Sequence, residues 1–386
     1  MKKKIIIIIM ILNMLFLDVA LAAQTKEPIV AADSSILMDY KTGRVLWGKN
    51  IYKPRSMAST TKIMTCILAL ENSKIDDIVV VSQRAALAPK VKIYLRKGEK
   101  QRLEDLLYAL MLVSANDAAV AIAEHVSGSV ENFCMQMTEK AKEIGAKDTV
   151  FKTPNGLDKE DHHSTAYDMA LITRYALGNK KFKDIISTRN VYTPVSRGKY
   201  RSFSLTNHNK LLTDYPGGNG VKTGFTNAAG QCFVGSAENN GMQLISVVLA
   251  SGWGNAGKQA KWTDTKKVLN YGFDNFKYEV IYNKDDILAK NVEVKKSKKQ
   301  SIELYLRNDI ILPIKDSEKE KLRVEIYYPE QIEAPIEKGV EIGVARIYID
   351  EDYICEGALL ANKYVEENTM SSNFDKIISE YSWVVN

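Results

Sequence analysis

Ser59 and Lys62 stand three residues apart at the head of an apolar stretch that runs to Glu71. A serine hydroxyl attacks a carbonyl only when a neighbouring base takes its proton. An amine can be that base once burial and a second cation depress its pKa. Helical spacing would set both side chains on one face, at an end with free backbone N–H groups and a positive dipole. Two more short strings can complete such a site. In Ser114-Ala115-Asn116, the hydroxyl can relay a proton to a leaving amine, and the amide can orient Lys62 and hold a substrate amide. In Lys222-Thr223-Gly224, the lysine can supply the second charge, with Phe225 next along the chain. A strand there could pair with an extended peptide, and the N–H groups of Phe225 and Ser59 could form an oxyanion hole. The chemistry is acyl transfer through a serine ester.

Each string also occurs elsewhere: Ser196–Lys199, Ser371–Asn373 and Lys41–Gly43. Context separates them. Ser196 lies between Pro194 and Gly198, where a loop would not hold two side chains in register. Lys41 falls in a hairpin turn and Ser371 in the tail. The remaining set, in chain order, is Ser59, Ser114 and Lys222.

Elements must bring these positions together. Ser35–Tyr40 and Val45–Lys49 read as strands around a glycine turn. Helical patterns cover 59–71, 103–126 with a break near Ser114, and 165–177 with Thr165 as cap. Three short apolar runs follow, 220–225, 231–237 and 242–249, then a helix over 258–276. Strands at both ends with helices between predict an α+β domain, an antiparallel sheet with helices on its faces, over residues 23–276. Alternating segments such as 302–306, 322–328 and 344–349 predict a small all-β domain over 277–366. Residues 367–386 form a tail with a candidate amphipathic anchor, Phe374 to Trp383, or a docked terminal helix.

The N-terminus predicts export. Lys2–Lys4, an apolar run from Ile5 to Leu17 and Ala20-Leu21-Ala22 have the form of a signal peptide over residues 1–22. The run is shorter than the roughly 20 residues a spanning helix needs. Without it the formal charge falls from +6 to about +4. Basic and acidic residues are interspersed, with no aromatic-studded basic patch for nucleic acid. Cys66, Cys134, Cys232 and Cys355 show no metal-ligand spacing and are expected as buried free thiols. His162 and His163 are adjacent but belong to no metal motif, and no cofactor is implied.

Ser-x-x-Lys, Ser-x-Asn and Lys-Thr-Gly in this order resemble the signature of the penicillin-recognising serine enzymes. The strings Ala58–Thr65, Ser114–Ala118, Thr153–Leu157, His163–Ala170 and Gly220–Thr226 resemble the low-molecular-weight D-alanyl-D-alanine carboxypeptidases in particular. The resemblance spans roughly residues 28–366 and implies a β-lactamase/transpeptidase-like domain with a C-terminal β domain. It implies that Ser59 is acylated, Lys62 is its base, Ser114 and Asn116 assist, and Lys222 is the electrostatic partner. Thr223, with Gly224 and Phe225, would bind the terminal carboxylate end of a peptidoglycan stem peptide, and β-lactams would acylate the same serine. Lys261 and His208 stand where relatives often carry arginine, so both are candidate substrate contacts. The expected location is the extracytoplasmic face of the envelope, with peripheral membrane contact through the tail.

Three rivals remain. A class A β-lactamase needs a glutamate for deacylation, and residues 150–158 contain none; Glu160 lies just beyond. A silent wall-binding scaffold would be expected to have lost a motif. An endopeptidase cutting cross-links would share every residue named.

Overall fold

The computed structural model describes residues 3–8, 26–193 and 200–368. The Ser196–Lys199 decoy, most of the signal-like segment and the tail from residue 369 lie outside them. The described chain divides into two compact units: Gln24–Asp274, and a second from Asn275 onward together with the strand Lys3–Ile8.

The first unit is built on a five-stranded antiparallel sheet. Its strands are β1 (Ser34–Asp39), β2 (Val45–Lys49), β3 (Gly218–Thr226), β4 (Gly230–Asn239) and β5 (Met242–Leu249). The order across the sheet is β2-β1-β5-β4-β3. β1 pairs with β5, Ile36 opposite Val247, so the two ends of the unit share one sheet. All six residues of β1 are buried, as are the first eight of β4. Such runs mark strands covered on both faces, whereas alternation marks one wet face.

The intervening chain supplies the cover. The helices are α1 (Lys62–Asn72), α2 (Leu103–Leu112), α3 (Asn116–Ser127), α4 (Val130–Ile144) and α5 (Ala166–Leu177). The last helix, α6 (Gly254–Asn275), begins one turn before the expected Lys258. Asn116 through Ala123 are all buried, so α3 runs through the middle of the helical layer. Ser129 and Thr165 cap α4 and α5 by accepting the N–H of Asn132 and Asp168. The expected break near Ser114 separates α2 from α3. The architecture is mixed helix and antiparallel sheet, as the pattern predicts.

The second unit is all-β apart from one short 3₁₀ turn. Leu322–Pro329, Glu341–Ile349, Asp352–Ala361, Ser301–Leu306 and Ile287–Lys295 form its main sheet, edged by Lys3–Ile8 and Ile332–Glu333. Burial alternates along Ser301–Leu306, so one face packs inward. Among the described residues no helix is long and apolar enough to cross a membrane. Cys66, Cys134 and Cys232 are buried free thiols. Cys355 is half-exposed on a strand whose neighbours are also partly open, which corrects the expectation for that position.

Candidate active site

Ser59 does not belong to α1 itself. It sits on a 3₁₀ turn, Ala58–Thr61, and the α-helix begins at Lys62. The hydroxyls of Thr60 and Thr61 tie this turn to its own backbone, donating to Met57 O at 2.6 Å and Ala58 O at 2.8 Å. Such local bonds favour caps and turns over helix interiors. The 3₁₀ geometry still keeps positions three apart eclipsed, and Lys62 Nζ lies 2.9 Å from Ser59 Oγ.

Lys62 is fully buried, and its amine meets three acceptors. Besides Ser59 Oγ, it donates to Asn116 Oδ1 at 2.8 Å and to the carbonyl of Asn155 at 2.6 Å. Burial, then the nearby charge of Lys222, hold its pKa well below the ordinary lysine value, against a smaller opposing pull from Asp117. A neutral amine has two protons and one lone pair. It can keep both other acceptors and turn the lone pair to the Ser59 hydroxyl.

Asn116 is oriented by the loop before it. Its Nδ2 donates to the carbonyls of Pro89 and Lys90, at 3.2 and 3.1 Å, leaving Oδ1 for Lys62. Its neighbour Asp117 is fully buried and accepts the N–H groups of Ile93 and Leu95 at 3.1 and 2.9 Å. Together they pin the segment 89–95 across the start of α3. Ser114 occupies the α2–α3 corner with φ +64, a conformation L-residues rarely take.

β3 closes the other side. Lys222 and Gly224 are buried while Thr223 is partly open, the alternation a strand imposes. A Cβ on Gly224 would lie 2.9 Å from the Ser59 nitrogen, so only glycine lets the strand approach this closely. Lys222 has its pKa pushed down to about 7 by burial and by Lys261. Phe225 is exposed at the mouth. Lys261, on α6, is buried and donates to Gln231 Oε1 at 2.7 Å; burial pushes its pKa down to about 8. His208 lies within electrostatic reach of Lys222 and Lys261, and burial followed by those two charges lowers its pKa.

The structure thus joins Ser59, Lys62 and Asn116 by hydrogen bonds, and sets Lys222, Lys261 and His208 in one electrostatic cluster. Sequence reasoning missed the segment 150–164 as part of the site. Asn155 contributes a backbone carbonyl, which leaves no side-chain signature. Gly156, at φ +82, backs onto the nucleophile turn so closely that a Cβ would meet Ala58 O at 1.9 Å. His162 is buried, with its Nε2 3.0 Å from Thr61 Oγ1 and its Nδ1 accepting from the Lys152 N–H. Burial pushes its pKa down to about 4, so it is neutral at pH 7. The strings Thr153–Leu157 and His163–Ala170 marked the segment through the family resemblance, without giving it a role in the site.

Comparison with known proteins agrees. Residues 21–252 match the family model described as D-alanyl-D-alanine carboxypeptidase, and residues 276–367 match the C-terminal domain of penicillin-binding protein 5. The chain belongs to the D-alanyl-D-alanine carboxypeptidase family. A Bacillus subtilis D-alanyl-D-alanine carboxypeptidase is 36% identical over 88% of this chain and 87% of its own. A shorter carboxypeptidase from Mycobacterium tuberculosis is 32% identical, matching 66% of this chain and 87% of its own length. Among solved structures, penicillin-binding protein 5 from Haemophilus influenzae superposes with a TM-score of 0.74 at 29% identity, covering 89% of this chain and 99% of its own. This family member is therefore a serine-type carboxypeptidase, and the β-lactamase, endopeptidase and scaffold readings are not favoured.

Proposed function

We propose that Ser59 is the acylated nucleophile of a carboxypeptidase acting on peptidoglycan stem peptides that end in D-Ala-D-Ala. The observation that carries this is the buried Lys62 amine, 2.9 Å from Ser59 Oγ and shifted toward its neutral form. Lys62 takes the Ser59 proton as Oγ attacks the penultimate D-alanine carbonyl. The oxyanion is held by the N–H groups of Ser59 and Phe225. Collapse breaks the peptide C–N bond, and the proton passes from Lys62 through the Ser114 hydroxyl to the leaving amine. Water then attacks the ester, giving a proton to Lys62; collapse breaks the C–Oγ bond, and Lys62 passes that proton to Ser59 Oγ, restoring the free enzyme.

Asn116 holds Lys62 and the substrate amide, and Lys222 supplies positive charge beside the base. Thr223, with Gly224 and Phe225, receives the terminal carboxylate, Lys261 adds cationic attraction, and His208, held toward its neutral form by burial and the neighbouring lysines, is a hydrogen-bonding contact. Lysine at 261 keeps the charge of an arginine without its bidentate fork. β-Lactams acylate the same serine. Residues 1–22 direct export to the outer face of the cytoplasmic membrane, and the tail, residues 367–386, makes peripheral contact with it. The test is intact-mass analysis after incubation with benzylpenicillin, beside Ser59→Ala, together with D-alanine release from a D-Ala-D-Ala peptide. An adduct and release, both lost in the variant, are expected; folded protein that gives neither overturns the reading.

A further inference from the structure

We propose that the cleft beyond the Lys222-Thr223-Gly224 strand is a subsite for a leaving group that carries a second carboxylate. The inference rests on the acylation of Ser59 argued above. The cleft has a volume of about 410 Å³, and its lining includes His208, Lys210, Phe225, Gln231, Lys258 and Lys261. Among the described residues no aspartate or glutamate lines it.

Its position follows from the strand register. Gln231 of β4 pairs with Phe225 of β3, one residue past the glycine that touches the Ser59 turn. The cleft therefore opens where the chain leaving the acylated carbonyl must run. Its floor is fixed: Lys261 is 9% exposed and Gln231 3%, and the 2.7 Å bond between them aims the amine. Its rim carries charge of one sign. Lys210, from the loop before β3, and Lys258, one turn before Lys261 on α6, are exposed and have no acidic partner among the described residues. Both charges bear on Lys261 and help lower its pKa, and Lys261 in turn bears on Lys222 and His208.

Cations gathered without a counter-charge raise one another's energy, and an anion placed among them relieves it. The leaving D-alanine brings one carboxylate, which the reading above assigns to Thr223 and Lys261. Its methyl side chain fills little of the cleft and engages neither Lys210 nor Lys258. An amino acid with a side-chain carboxylate would meet both. The chemical class is thus a D-configured leaving group bearing an acidic side chain in addition to its α-carboxylate.

The test compares peptides ending in D-Ala-D-Glu and D-Ala-D-Gln, near-isosteres that differ in one charge, with the full mature protein. Cleavage is read as release of the terminal amino acid. Two exposed ion pairs are worth roughly a three- to tenfold gain in kcat/KM for D-Glu over D-Gln at low salt. Measured at about pH 6.5, where Lys261 is charged with or without its neighbours, the Lys210→Ala/Lys258→Ala protein should bring that ratio to about one while its rate on D-Ala-D-Ala is unchanged, and raised salt should do the same to the parent. Equal rates on the two peptides in the parent, cleavage of neither, or a preference that survives in the double variant would overturn the subsite. Failure to release D-alanine from D-Ala-D-Ala would instead overturn the reading beneath it.

Discussion

Lys222 is 2% exposed, and among the described residues its amine donates to the carbonyl of Thr223 at 3.1 Å. Its pKa falls from 10.5 to about 7. Between those values the folded state binds fewer protons than the unfolded state, so stability rises with pH, and below about 7 the full cost of the buried charge is present. Lys222→Met should therefore raise the unfolding midpoint, by about 1–2 kcal/mol in stability, and more at pH 6 than at pH 9. Chemical denaturation at the two pH values checks this, and the same variant should lose acylation. Lys62 is different, because it satisfies Asn116 Oδ1 and Asn155 O. Lys62→Met orphans both acceptors and should destabilise, while benzylpenicillin acylation falls about a thousandfold. Stopped-flow acylation separates the two effects. Lys261, with its pKa near 8, loses charge as pH rises through that value. KM for D-Ala-D-Ala peptides should climb above about pH 8, and Lys261→Arg should move that limb to higher pH with little change in kcat.

Two segments distant in sequence back the nucleophile turn and the Asn116 amide that holds Lys62. One is 150–164, docked by Gly156 against Ala58 O, by the Thr65 hydroxyl donating to Pro154 O at 2.6 Å, and by His162 on Thr61. The other is 89–95, held by Asn116 and Asp117. Gly156→Ala meets both a backbone clash and a left-handed φ. It should cost about 2–4 kcal/mol in stability and slow acylation, as urea unfolding and mass analysis would read. Lost stability with an unchanged acylation rate of the folded protein would show that the segment only stabilises the fold. Asp117→Ala leaves the N–H groups of Ile93 and Leu95 unpaired, and hydrogen exchange there should accelerate before any global loss of protection.

At the scale of the chain, β1 and β5 join residues more than two hundred apart, and the unit Gln24–Asp274 carries every side chain assigned to the reaction. The Mycobacterium tuberculosis relative matches only 66% of this chain while covering 87% of itself. A protein limited to residues 24–274 should accordingly acylate with benzylpenicillin within about threefold of the full chain, because the acceptors around Lys62 and the sheet are all internal to it. Rate constants for acylation compare the two directly.

The sequence by itself determined the strands of the main sheet, four of the helical segments and the types of residue that could do acyl transfer, but not the helices Val130–Ile144 and Lys180–Ser187. Period-two and period-three-to-four patterns record which face of an element avoids water, and Ser-x-x-Lys is a spacing within one turn. It could not show that Ser59 stands on a 3₁₀ turn, since the Thr60 and Thr61 hydroxyls compete locally with helix bonding and only packing selects between them. Nor could it show that a carbonyl of Asn155, the ring of His162 and the amide of Gln231 complete the surroundings of Ser59, Lys62 and Lys261. Backbone groups carry no residue code, and a lysine's pKa depends on how deeply the fold buries it and which cations the fold sets beside it. Those distances were decided by tertiary structure alone.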